Sequence, residues 1–86
     1  MPVNLPTPLT LYTDGQRDVS ATGTSLDALL TDLDRQFPGM RFRMIDEQGR
    51  GRAHMKFFIN GQLHRDLDAN IREGDRLMIV AAISGG

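Results

Sequence analysis

The sequence predicts an α+β domain in which a single sheet packs on one main helix, and three observations predict it. Leu26, Leu29, Leu30, Leu33 and Phe37 recur at helical spacing along one face. Met55, Phe57 and Ile59 alternate with Lys56, Phe58 and Asn60 at strand spacing. They run into Asn60-Gly61, the strongest short hairpin signal, because both turn positions accept positive φ. Finally, 86 residues suffice for one small domain with one core, burying about 60–65% of the surface its unfolded chain exposes. The leucine stripe then needs one apolar sheet face to cover it.

The elements follow in order. Val3 and Leu5 flank polar Asn4 between Pro2 and Pro6, which suits a short strand with its prolines at the ends. Thr7 to Gln16 reads as a connection closed by Asp14-Gly15, followed by a second strand near Arg17 to Ala21. The main helix is expected from about Ser25 to Phe37, with Thr24 as N-cap, Asp27 three residues on, and Pro38-Gly39 as the stop. Met40 to Ile45 fits either irregular chain or a short helical turn, and Asp46 to Arg52 is a polar loop. After the strand at Met55 to Ile59, the returning strand lies near Gln62 to Arg65. Asp66 to Asp75 is expected to hold a helical turn anchored by Leu67 and Ile71, and Gly74-Asp75 turns into a last strand from Arg76 to about Ala81. On that strand Leu77 and Ile79 face one way, Met78 and Val80 the other.

Composition removes several classes of function. Hydrophobic residues at 40% and charged residues at 24% describe a globular rather than a disordered chain. A net charge of -1 argues against a general nucleic-acid binder, which should be distinctly basic. There is no cysteine, hence no disulfide, thiolate metal site or thiol nucleophile, and any sulfur chemistry must use another atom. The start Met1-Pro2-Val3-Asn4-Leu5-Pro6 lacks the basic and apolar regions of a signal peptide. No apolar run approaches the ~20 residues of a membrane span. Cytoplasmic residence, with no membrane and no nucleic-acid partner, is the expectation.

The sequence ends in Gly85-Gly86, behind the narrow Ala81-Ala82-Ile83-Ser84. Without a Cβ on either side of the last peptide, this carboxylate can enter a channel too tight for other residues. An α-carboxyl, with a reference pKa of roughly 3.3 to 3.7, is ionised near neutral pH and can attack an activated phosphate such as that of ATP. The resulting acyl-adenylate is open to sulfur or amine nucleophiles. A frayed end is the alternative meaning of terminal glycines.

The element order, Ile59-Asn60-Gly61, Glu73-Gly74-Asp75 and Ser84-Gly85-Gly86, with the fixed spacing from Gly74 to Gly86, together resemble the MoaD/ThiS family of ubiquitin-like sulfur carriers over essentially the whole chain. Within it, Leu5-Pro6-Thr7, Asp14-Gly15-Gln16 and Met55-Lys56-Phe57-Phe58-Ile59-Asn60 look most like carriers serving cysteine biosynthesis. The resemblance implies a β-grasp fold, a mixed sheet of four to five strands on one helix, over residues 1–81, with 82–86 as a flexible tail. It implies a carrier rather than an enzyme, with no cofactor of its own. An E1-like adenylyltransferase/sulfurtransferase would use ATP to adenylate Gly86, sulfur would replace AMP to give a thiocarboxylate, and a biosynthetic enzyme would accept that sulfur. Gly85, Ser84 and Ile83 would form the recognised approach. Cysteine, molybdopterin, thiamin and siderophore routes all use carriers of this shape. Family tails often carry proline where this chain has alanine, so this tail is expected to be less stiff.

Partners must grip more than the tail. Phe58, Leu63, Met78 and Val80 are the candidates for an apolar patch on the sheet, the alternative being that they pack beneath the 40–52 segment. Two other classes of function stay open: a protein modifier joined through Gly86 to target lysines, and an interaction module whose glycines are incidental. Asp66, Asp68 and Asn70 match the first ligand positions of a calcium loop, but Ile71 and Leu77 occupy its glycine and glutamate positions. His54 and His64 lack the companions that zinc requires, so no metal is expected. Gly49-Arg50-Gly51-Arg52 fits no phosphate-binding fingerprint. Arg41, Arg43, Arg50, Arg52 and Lys56 nevertheless hold five of the ten basic residues, as a solvated loop balanced by Asp46 and Glu47 or as a surface that steers an acidic partner.

Overall fold

The leucine stripe forms α1 (Leu26–Gln36), and Leu26, Leu29, Leu30 and Leu33 are completely buried. The computed structural model describes residues 1–82. Around α1 the order is β1 (Pro2–Asn4), a 3₁₀ helix (Thr7–Tyr12), β2 (Asp18–Ser20), α1, α2 (Met40–Met44), β3 (Met55–Ile59), β4 (Gln62–His64) and β5 (Leu77–Ala81). The strands form one sheet in the order β2-β1-β5-β3-β4, antiparallel except for the parallel pair β1 and β5. This mixed five-stranded sheet against one main helix is the β-grasp arrangement.

Strand alternation decides which face meets the helix. Across β3 and β5 the opposed pairs Phe57 with Ile79 and Ile59 with Leu77 are buried, and Val3 continues the row beside Leu77 on β1. Met40, Met44, Ile45, Leu5 and Leu9 close the rest of the core. The ambiguous stretch after Pro38-Gly39 is therefore helical, because α2 delivers both of its methionines inward. Gly39 supports the sharp break between the helices with φ 95°, a left-handed value suited to glycine.

Three local expectations change. The connection after β1 is built on a 3₁₀ helix, an element its sequence did not predict. Pro8 lies in its first turn, where a missing N–H costs nothing, and Leu9 N donates to Pro6 O at 3.0 Å. The N-cap of α1 is Ser25, not Thr24: Ser25 is extended and its Oγ accepts from Ala28 N at 3.1 Å. Asp27, instead of reaching back in a capping box, pairs with Arg41 of α2.

The third change explains the second. Residues 66–75 form turns, not a helical turn, because their backbone groups bond to the start of α1. Leu26 N donates to Ala69 O at 3.0 Å, Asp27 N donates to Leu67 O at 2.9 Å, and Ile71 N donates to Thr24 O at 3.0 Å. Orphan amides at a helix N-terminus need acceptors, and a non-local segment supplies them here.

Candidate functional site

The C-terminal approach begins on the central strand. β5 is paired on both sides, with β1 and β3, and its register with β3 runs out to Met55 opposite Ala81. One residue further, Ala82 N donates to His54 O at 2.6 Å, so the chain is held against β3 as far as the last described residue. Ile83, Ser84, Gly85 and Gly86, the residues expected to be activated and recognised, lie outside the described residues.

The sheet face away from α1 carries an apolar row. Leu63, Phe58 and Met78 stand directly opposite one another across β4, β3 and β5. Leu63 is 41% and Met78 is 49% exposed, whereas Phe58 is half-buried between them. Val80, half-buried, faces Lys56 across the next rung but one. None of the four packs beneath the 40–52 segment as part of the core. The row ends in polar residues on β1 and β2, where Asn4 lies beside Met78 and donates from Nδ2 to Asp18 Oδ1 at 3.0 Å.

Shallow grooves flank β5. One, of about 420 Å³, runs over Lys56, Phe58, Arg76, Met78, Val80 and Ala82. The other, of about 840 Å³, separates β5 from the 3₁₀ helix and is walled by Pro8, Leu11 and Arg17 on one side and by Met78, Val80 and Ala82 on the other. Leu11 is 86% exposed, and sequence reading missed it by treating residues 7–16 as a plain connection. The available signal was the pair Leu9 and Leu11 in a short helical turn, only one of which can point inward.

The two turn motifs meet in space. Asn60 and Gly61 both have positive φ, 51° and 83°, as the tight hairpin requires. Asn60 Nδ2 donates to Asp75 Oδ1 at 2.7 Å, Arg76 N donates to Asn60 Oδ1 at 3.1 Å, and Arg72 N donates to Asp75 Oδ2 at 2.8 Å. The Arg72 amide, and then the Asn60 side chain, hold the Asp75 carboxyl below the usual carboxylate range. This clamp fixes the entry to β5.

The basic residues separate into two sets. Arg41 pairs with Asp27, and Arg50 with Asp46 at 3.8 Å. Asp46 itself closes the loop by accepting from Gln48 N and Arg50 N, each at 2.9 Å, and these contacts, led by the Arg50 amide, lower its pKa. Arg43 and Arg52 have no carboxylate partner among the described residues. Arg43 Nε donates to the Tyr12 hydroxyl at 2.8 Å, a contact that raises its ionisation further. Arg52 Nε donates to Phe42 O at 2.7 Å, while its guanidinium sits 4.7 Å from the Phe42 ring centre.

Asp66, Asp68 and Asn70 do not converge as ligands: Asp66 Oδ1 accepts from Asp68 N, and Asn70 forms a bridge with Ser25. Among the described residues no three histidine or acidic side chains gather where a metal ion could be held, and no helix is long and apolar enough to cross a membrane.

Comparison with known proteins agrees with this architecture. Residues 3–86 match the ThiS family. The sulfur carrier protein CysO of Mycobacterium tuberculosis is 34% identical over 89 residues, spanning 98% of this chain and 96% of that protein. The crystal structure of the Amycolatopsis orientalis BexX/CysO complex holds a chain that superposes with a TM-score of 0.91 at 27% identity, covering 99% of this chain and 98% of its own. Mycobacterium tuberculosis CysO gives 0.89 at 31% identity, with 95% and 98% covered. SAMP1 from Haloferax volcanii gives 0.79 at 25% identity, with 100% and 98% covered.

Proposed function

Since the chain belongs to the ThiS family, we propose that it is a sulfur carrier, working in the cytoplasm, whose Gly86 carboxylate is the reactive group. The single observation that carries this reading is the end-to-end match to sulfur carriers, which runs through Gly86 itself. A carboxylate oxygen of Gly86 attacks the α-phosphorus of ATP on an E1-like partner and displaces pyrophosphate. A sulfur nucleophile then adds to the acyl carbon and AMP leaves, so that a thiocarboxylate carries the sulfur to an acceptor enzyme. The absence of cysteine is consistent with this scheme, since the sulfur rides on a main-chain carbonyl.

In this reading the compact body is a handle and not a catalyst. The row of Leu63, Phe58, Met78 and Val80 is the apolar surface that the activating and accepting enzymes grip, and Ile83, Ser84 and Gly85 are the slender approach to the partner's nucleotide site. Likeness to the CysO carriers favours an acceptor that makes cysteine. Intact-mass measurement tests the proposal after incubation with the activating enzyme, ATP and sulfide. Replacement of one oxygen by sulfur at Gly86 is expected, and an unchanged mass overturns it.

The likeness to SAMP1, a small archaeal modifier protein, supports a second outcome of the same adenylate, attack by a lysine amine to give a protein conjugate. Lys56 is the only lysine of this chain, so self-conjugates would join through it or the N-terminus. Absence of covalent adducts in cell extracts supplied with ATP and the activating enzyme removes this alternative.

A further inference from the structure

Tyr12, Phe42, Arg43, Arg52 and His54 line a concavity of about 620 Å³ that no acidic residue enters. Its two guanidinium groups are held by neutral acceptors, the Tyr12 hydroxyl and the Phe42 carbonyl, rather than by carboxylates. Each leaves terminal N–H groups to an outside ligand, and each is already oriented, which removes part of the entropic cost of binding, although Arg52 also acts on the Asp46 carboxylate from a distance. Between them Phe42 is 60% exposed and offers an apolar contact beside the cations. Of the other arginines in the 40–52 segment, Arg41 pairs with Asp27 and Arg50 with Asp46, so within this segment Arg43 and Arg52 are the two left to meet an outside carboxylate. The position matters too: His54 lines this concavity, and its carbonyl accepts from Ala82, the last described residue before the C-terminal glycines.

We propose that this concavity docks an acidic segment of the enzyme that handles the C-terminus, with carboxylates on Arg43 and Arg52 and an apolar side chain on Phe42. The inference rests on the carrier reading above. It adds a second grip, close to Ala82 and separate from the Leu63, Phe58 and Met78 row. Opposite charges there raise the rate of encounter and make it sensitive to salt.

Two measurements test it. Isotope-labelled protein is titrated with a soluble peptide of alternating glutamate and leucine, and with its glutamine counterpart, while backbone amide resonances are followed. Saturable shifts at Phe42, Arg43, Arg52 and His54 are expected with the acidic peptide alone. They should weaken about tenfold in R43Q/R52Q and as ionic strength rises from roughly 0.05 to roughly 0.3 M. No saturable shift, an equal response to the glutamine peptide, or an unaltered response in the double variant overturns the proposal. So does binding of ATP or inorganic phosphate at the same amides in preference to the peptide. In the activation assay, R43Q/R52Q should raise the KM for the carrier about tenfold with kcat kept, and R43K/R52K should recover part of the loss. An unchanged KM overturns the assignment to the tail-handling enzyme. A wild-type chain that is never activated defeats the carrier reading instead, while the peptide titration still decides the surface.

Discussion

A Cβ built on Gly23 would stand 2.6 Å from Leu29 N and 2.9 Å from the Ala28 carbonyl carbon, both of them backbone atoms of α1. Side chains can swing aside, but a helix backbone cannot without losing its hydrogen bonds. Gly23→Ala is therefore expected to destabilise the fold by about 1–3 kcal/mol, as overpacking does elsewhere. Chemical denaturation checks this, and wild-type stability in the variant would contradict the close approach. Nothing in the sequence marked Gly23, because the need for glycine arises from a helix packed across it and not from the local turn. Asn60, Gly61 and Gly74, by contrast, were legible, since hairpin and turn chemistry is local and each has the positive φ its motif implies.

At the scale of elements, the hairpin turn and the turn before β5 act as one unit through Asp75. Its carboxyl has a folded pKa below the ordinary value, so it stabilises the fold fully above its unfolded pKa. That contribution disappears as pH falls through the folded value. Asp32, lowered chiefly by the Thr22 amide and by Arg35, and Asp46 act in the same direction. Denaturant titrations are expected to show stability falling below about pH 4. Asp75→Asn should lower stability at neutral pH and make the acid loss shallower, and an identical acid slope in the variant would remove Asp75 from the linkage. Helix α1 was legible because its leucines must all face one way. The segment 66–75 was not, because its amides and carbonyls bond to α1, some forty residues back. A local pattern of two apolar anchors could not reveal that partner.

For the whole molecule, the alternation along β3 and β5 separated the buried face from the open one, and the positions of Phe58, Met78 and Val80 on the open face follow from it, whereas Leu63 is placed there by its register opposite Phe58. The groove against the 3₁₀ helix and the sorting of Arg41, Arg43, Arg50 and Arg52 into paired and unpaired sets required the folded arrangement. Met78→Asp separates handle from scaffold. Because Met78 is 49% exposed, the change should move stability by no more than about 0.5 kcal/mol. In the activation assay it should still slow thiocarboxylate formation, and full activity in a folded variant would remove the open face from partner binding.

Neighbouring β1 and β5 run in the same direction, so Met1 and Ala82 lie beyond opposite ends of the pair. A tug on Ala82 against Met1 thus pulls along both strands at once. Their cross-links must yield together in shear instead of unzipping singly, and β3 shares the strain from the other flank. Load applied along the last strand is thus borne by two neighbours at once, and the body beside it keeps its shape under traction.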